Sequence, residues 1–186
     1  MATKKVQVLT DAEMKKLLDD FIEAKAKENQ FFKKTVGVRP TPGPPATEEQ
    51  LHALEAHLAS KGLAAPEAYK QFLRTYNGIE LLLYPLSLLS IEQVINKQDF
   101  IESMFDRNPG CRDFVIADGG GTRSGDIVSF DTRKPSETGY QLAWIQENGS
   151  VSRSADFVKF LKTYYRVTLE TIEQEEADRA ASSNKP

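Results

Sequence analysis

The chain has 186 residues, 40% of them hydrophobic, which is enough for one substantial core and too short for two full domains. Its 24 basic and 27 acidic side chains leave a formal net charge of -3, so it has no general attraction for nucleic acid or anionic lipid, and a basic partner suits it better than a phosphate polymer. A single cysteine, Cys111, excludes an internal disulfide, and the first residues hold no apolar run of signal-peptide or membrane-span length, so a cytoplasmic protein is expected.

Thr10 and Glu13 form a TxxE capping box, in which hydroxyl and carboxylate each satisfy a backbone N–H; Met14, Leu17, Leu18, Phe21 and Ile22 follow at helical spacing. Residues 1–36 are read as an N-terminal helical arm. Residues 37–46 carry four of the nine prolines and are read as an extended connector, unable to sustain a helix or a sheet ladder. A second capping box, Thr47 with Gln50, opens a helix whose Leu51, Leu54 and Leu58 form one stripe and which ends near Lys61 and Gly62. The next helix starts at Pro66, buries Tyr69, Phe72, Leu73 and Tyr76, and stops at Asn77 and Gly78, where the chain reverses through a left-handed backbone. Residues 81–84 are a short apolar strand candidate. Ser90 and Gln93 repeat the capping pattern, and Val94, Ile101, Met104 and Phe105 predict a helix running toward Pro109 and Gly110.

The rest reads as a meander. Residues 114–117 are a continuous apolar run, residues 126–131 a second strand, and Tyr140, Leu142 and Trp144 alternate with more polar positions on a third. Asn148 and Gly149 signal a hairpin that returns through Val151. Ser154 is read as the cap of a closing helix with Phe157, Phe160, Leu161 and Tyr164 on its inner face. Residues 168–180 are polar and acidic, as in an exposed helix, and residues 182–186 should be loose. The expected organisation is a core at 47–167 followed by an acidic C-terminal helix and tail at 168–186.

Two stretches carry a family resemblance: the helix of residues 66–76 with its stop at Asn77 and Gly78, and the glycine-rich residues 118–126 between two strands. Their order and spacing, with two helices before the sheet and one after the last hairpin, are similar to the SMI1/KNR4 (SUKH) superfamily over residues 47–165, roughly two thirds of the chain. Asn77, Gly78, Gly120, Gly121, Gly125, Asp126 and Asp131 map onto the family pattern. The resemblance implies an α+β fold, a mostly antiparallel sheet covered by helices, used as a binding surface without catalysis. Bacterial members of the superfamily are mostly immunity proteins that neutralise toxins.

Catalytic and ligand chemistry is sparse. Residues 118–126 could cradle a phosphate through glycine N–H groups and Arg123, but the P-loop and GxGxxG patterns are absent and no helix opens there, which favours a plain strand connection. Asp118, Asp126 and Asp131 lack calcium-loop spacing, and aspartates commonly begin and end strands through turn hydrogen bonds. His52 and His57, five apart on one helix, do not pair as metal ligands. Cys111 precedes an apolar strand with no nearby histidine, and Ser124 and Ser129 lack the GxSxG elbow. Tyr140 and Trp144 share a strand face among acidic neighbours, which points to packing under a helix more than to base stacking. No cofactor, metal, nucleic acid or membrane partner is expected.

The reading that results is a non-catalytic immunity protein covering a cognate toxin with a basic surface, such as a nuclease domain. Asp118, Arg123, Asp126, Glu137, Glu170, Glu173 and Glu176 are the candidate contacts. A regulatory or scaffolding protein, a homodimer through the outer segments, and a phosphate-binding enzyme are the alternatives.

Overall fold

Among the described residues, seven strands in chain order form one antiparallel meander sheet: β1 (Thr41–Pro42), β2 (Ile79–Glu80), β3 (Ser87–Leu88), β4 (Val115–Asp118), β5 (Ile127–Ser136), β6 (Gly139–Ile145) and β7 (Val151–Ser154). The helices are α1 (Asp11–Glu28), α2 (Glu48–Ser60), α3 (Glu67–Thr75), α4 (Ile91–Asn96) and α5 (Phe157–Ser183), giving the expected α+β architecture. The computed structural model describes residues 9–32, 37–81, 86–96, 102–119 and 125–183. None of the described helices is long and apolar enough to cross a membrane.

The capping boxes set three helix starts. Thr10 with Glu13, Thr47 with Gln50, and Ser90 with Gln93 each make both reciprocal bonds, so the free N–H groups of α1, α2 and α4 are satisfied locally. The α3 helix stops where Gly78 adopts φ +90; a Cβ there would lie 2.8 Å from the Ser90 backbone nitrogen. Next to it, the Asn77 Oδ1 accepts the Ile91 N–H at 2.8 Å, so one asparagine ends α3 and holds the first turn of α4.

Three expectations need correction. The proline-rich segment does join the sheet: Thr41 and Pro42 pair with Glu80 and Ile79 as an edge strand, where a missing N–H can face away from the ladder. The Gly43 N–H then donates to the Gly78 carbonyl and the Ala46 N–H to the Leu73 carbonyl, both at 2.9 Å. A strand forms at Ile79 and Glu80, and of the strand expected at residues 81–84, residues 82–84 lie outside the described residues. The helix expected to run from Ser90 toward Pro109 is α-helical over Ile91–Asn96, Met104 belongs to a 3-10 turn (Glu102–Met104), and residues 97–101 lie outside the described residues. Finally, Ser154 ends β7 and Asp156 caps α5, its Oδ1 accepting the Lys159 N–H at 2.8 Å; the helix then continues without a break to Ser183.

Strand alternation divides the core. Val128, Phe130 and Leu142 face the helices and join Leu54, Leu58, Phe72, Phe157 and Leu161 in the main cluster. From α1, Met14, Leu18, Phe21 and Ile22 enter the same cluster, and Tyr76 anchors that helix by donating to Asp19 at 2.6 Å. On the other sheet face, Val115, Ile127, Ala143 and Ile145 meet Phe105 and Cys111 of the segment that precedes β4. At the centre of the main cluster Tyr69 is fully buried. Its ring lies over Phe72 and meets Phe114, Phe130 and Phe157 edge-on, with centroids 5.3 to 5.8 Å away.

The α1–α5 contact contains a buried ion pair. Lys25 and Glu28, each 3% exposed, meet at 2.7 Å, and the ammonium lies 4.5 Å from the Tyr164 ring centroid. Burial holds the Lys25 ammonium below its ordinary pKa, with the Glu28 carboxylate opposing the shift.

Two denaturation experiments test this packing. The Tyr69 hydroxyl has no hydrogen-bond partner among the described residues, so Tyr69→Phe should be neutral or stabilising in urea, whereas Phe72→Ala should cost about 3–5 kcal/mol. Lys25→Met alone should cost about 3–5 kcal/mol by stranding Glu28, and Lys25→Met with Glu28→Leu should recover most of that loss.

Candidate protein-binding site

The chain reverses at one end of the sheet twice, after β4 and after β6, and the strand directions bring Asp118, Asp126 and Glu147 to that end. Asp118 closes β4, Asp126 precedes β5, and Glu147 starts the turn after β6. The Gly119 N–H donates to the Asp126 carbonyl at 3.0 Å and so ties the two sides of the β4–β5 connection. The Asp126 carboxylate in turn accepts the Trp144 indole N–H and the Glu147 N–H, each at 3.0 Å, fastening the next hairpin to the first. Gly125 leaves room for this approach, because a Cβ there would sit 3.2 Å from the Glu147 Cγ. Beyond the β6–β7 turn a depression of about 370 Å³ separates it from residues 103–108, with Asp106 and Arg107 on that side and Glu147 on the other. Asp106 and Glu147 are exposed and Asp126 is half-buried.

This arrangement sorts the candidate residues. Asp118 and Asp126 belong to the same sheet end, and Glu147 and Asp106 join them as acidic residues that sequence reasoning missed. Glu147 stands beside the hairpin signal of Asn148 and Gly149, which marks its position; Asp106 carries no local signal. Glu137 is exposed in the β5–β6 turn, at the opposite end. Glu170 pairs with Arg166 at 2.7 Å and Glu176 with Lys27 at 2.8 Å, while Glu173 is exposed on α5 between them. Arg123, Gly120 and Gly121 lie outside the described residues.

The remaining reactive groups are built into the scaffold. Asp131 is 5% exposed and accepts from Arg153 at 2.8 Å, and the same guanidinium donates to the Asn108 Oδ1 at 3.0 Å. The arginine starts on β7 opposite the small Ala143 and reaches β5, binding the segment before β4 to the sheet as it does so. Gly110 makes this possible, since any Cβ there would collide with the Asp131 carboxylate. Ser129 donates toward the Cys111 and Phe114 carbonyls at 2.5 and 2.8 Å. The Cys111 thiol is buried, and burial together with the nearby Asp131 charge pushes it up to about 11, far from a reactive thiolate; the adjacent Arg112 is exposed. Among the described residues no three His, Cys, Asp or Glu side chains converge as metal ligands would. Trp144 packs its ring edge on Tyr164 of α5, 5.6 Å between centroids, under the helix.

The described residues form an α+β domain, a helix-covered antiparallel meander with acidic residues at the turns of one end. The chain belongs to the SMI1/KNR4 family (SUKH-1), whose model matches residues 45–163. No curated protein matches the chain.

Removing the Asp126 carboxylate tests how the sheet end is held. Asp126→Ala takes away two hydrogen bonds and should cost about 2 kcal/mol, and it should shift the emission of Trp144, the one tryptophan of the chain, toward that of a more exposed indole.

Proposed function

We propose that this protein is an immunity protein: it binds a cognate toxin with a basic surface, such as a nuclease domain, and neutralises it without catalysis. The observation that carries this reading is membership of the SMI1/KNR4 family over residues 45–163. The acidic sheet end supports it. Asp106 and Glu147 flank the depression there while Asp126 is occupied in holding the turns, so the charge sits on a surface whose backbone is already ordered. A partner meeting such a surface loses little loop entropy, and opposite charge speeds encounter. The proposed contacts also include Asp118, largely buried at the end of β4, and Arg123, which lies outside the described residues.

Copurification with the product of the adjacent gene, together with a growth assay under toxin expression, tests the proposal. The expected result is a stable complex and rescue of growth. Asp106→Lys with Glu147→Lys should slow association about tenfold at low salt and have little effect at high salt. Absence of both complex and rescue overturns the reading.

A further inference from the structure

The exposed side of α5 carries a charge pattern opposed to its own dipole; α1 meets its edge, with Lys162 near Glu13 and Glu176 paired with Lys27, and the rest of the stripe faces outward. Lys159, Lys162, Arg166, Glu170 and Glu173 are all exposed. At 100° per residue they fall within an arc of about 80°, so they form one stripe, basic in its first half and acidic in its second. Elsewhere the charges follow the helix dipole: α1 opens with Asp11 and Glu13 and closes with Lys25 and Lys27. The α5 stripe has the opposite polarity. Its one internal pair on the stripe, Arg166 with Glu170, has the basic residue first, which is the weaker order for an i,i+4 pair, and both side chains remain more than half exposed.

At the point where the sign changes, Val167 is 41% exposed and Leu169 38%, two of the three large apolar side chains exposed among the described residues. They flank the charged stripe on its two sides. A stripe that is basic, then apolar-flanked, then acidic is complementary to itself when turned end for end.

We infer that α5 is a self-association surface, on which a second copy of this chain docks antiparallel about a two-fold axis near Thr168. In that register Lys162 faces the partner's Glu173, Arg166 faces the partner's Glu170, and each contact occurs twice. Leu169 borders the stripe beside the axis, and the opposed helix dipoles add to the attraction. Lys159 lies at the edge of the contact, and Glu176, which pairs with Lys27, lies outside it. The interface leaves the sheet end that carries Asp106, Asp126 and Glu147 outside its contacts, so the inference stands or falls independently of the toxin-binding proposal.

Sedimentation equilibrium on the full chain at low ionic strength tests it. Wild-type protein should approach twice the 20.8 kDa chain mass at tens of micromolar and dissociate at high salt. Lys162→Glu with Arg166→Glu makes the stripe wholly acidic, and Glu170→Lys with Glu173→Lys makes it wholly basic. Each variant should be monomeric with wild-type circular dichroism and Trp144 emission, and an equimolar mixture should recover a heterodimer. A monomeric wild type, variants that stay dimeric, or folded variants that fail to pair on mixing would each overturn the assignment.

Discussion

The fold depends on Tyr69. Its ring is the point where α3, the chain entering β4, β5 and α5 meet, because Phe72, Phe114, Phe130 and Phe157 all touch it. Four aromatic contacts on one side chain fix the angle at which the helices lie on the sheet, since rings prefer a few tilted or edge-on arrangements over continuous sliding. The two ends of α3 follow from that placement. At one end Pro66 lies against Gly139 of β6, and at the other Asn77 and Gly78 pass the chain to β2 and α4. The signature pair Asn77 and Gly78 is thus a consequence of geometry: a helix pinned by Tyr69 must reverse within two residues to reach a strand beside it.

The opposite sheet face is held by polar contacts where the first is held by rings. Its apolar cluster is smaller, and the segment of residues 102–111 covers it with 3-10 turns in place of a long helix. Arg153 compensates by crossing β6 to Asp131 and Asn108, with Ser129 pinning the Cys111 carbonyl nearby. A buried carboxylate needs such a partner, and a strand register that places Ala143 between the two gives the guanidinium its path. Holding this segment also places Asp106 across the depression from the β6–β7 turn, so the pairing of exposed Arg153 with buried Asp131 helps set the shape of the acidic surface.

Features encoded within a few residues were legible in the sequence. The capping boxes at Thr10, Thr47 and Ser90 and the hairpin at Asn148 and Gly149 each combine donor chemistry with spacing, and the structure forms them there. What escaped depends on distant partners. β1, β2 and β3 are two residues long, too short to show alternation, and exist because their neighbours supply the ladder. Ser154 and Asp156 are both good caps, and only the end of β7 decides between them. Lys25 and Glu28 resemble any solvated i,i+3 pair until Tyr164 covers them. Of the site, Asp118 and Asp126 were found because they bracket a glycine-rich connection, whereas Asp106 and Glu147 join them only through strand direction.

The acidic residues of the chain consequently do different work according to what stands beside them. On α5, Glu170 has Arg166 within reach and Glu176 has Lys27, so their fields are largely cancelled a few ångströms away and extend little into solvent. At the sheet end, Asp126 accepts the Trp144 and Glu147 N–H groups, and the exposed carboxylates of Glu147 and Asp106 stand at the depression with Arg107 as a basic neighbour. The exposed carboxylates of the turns suit the basic partner proposed above, while the stripe of α5 carries both signs. Net charge alone, at -3, does not separate these cases; the placement of each counter-charge does.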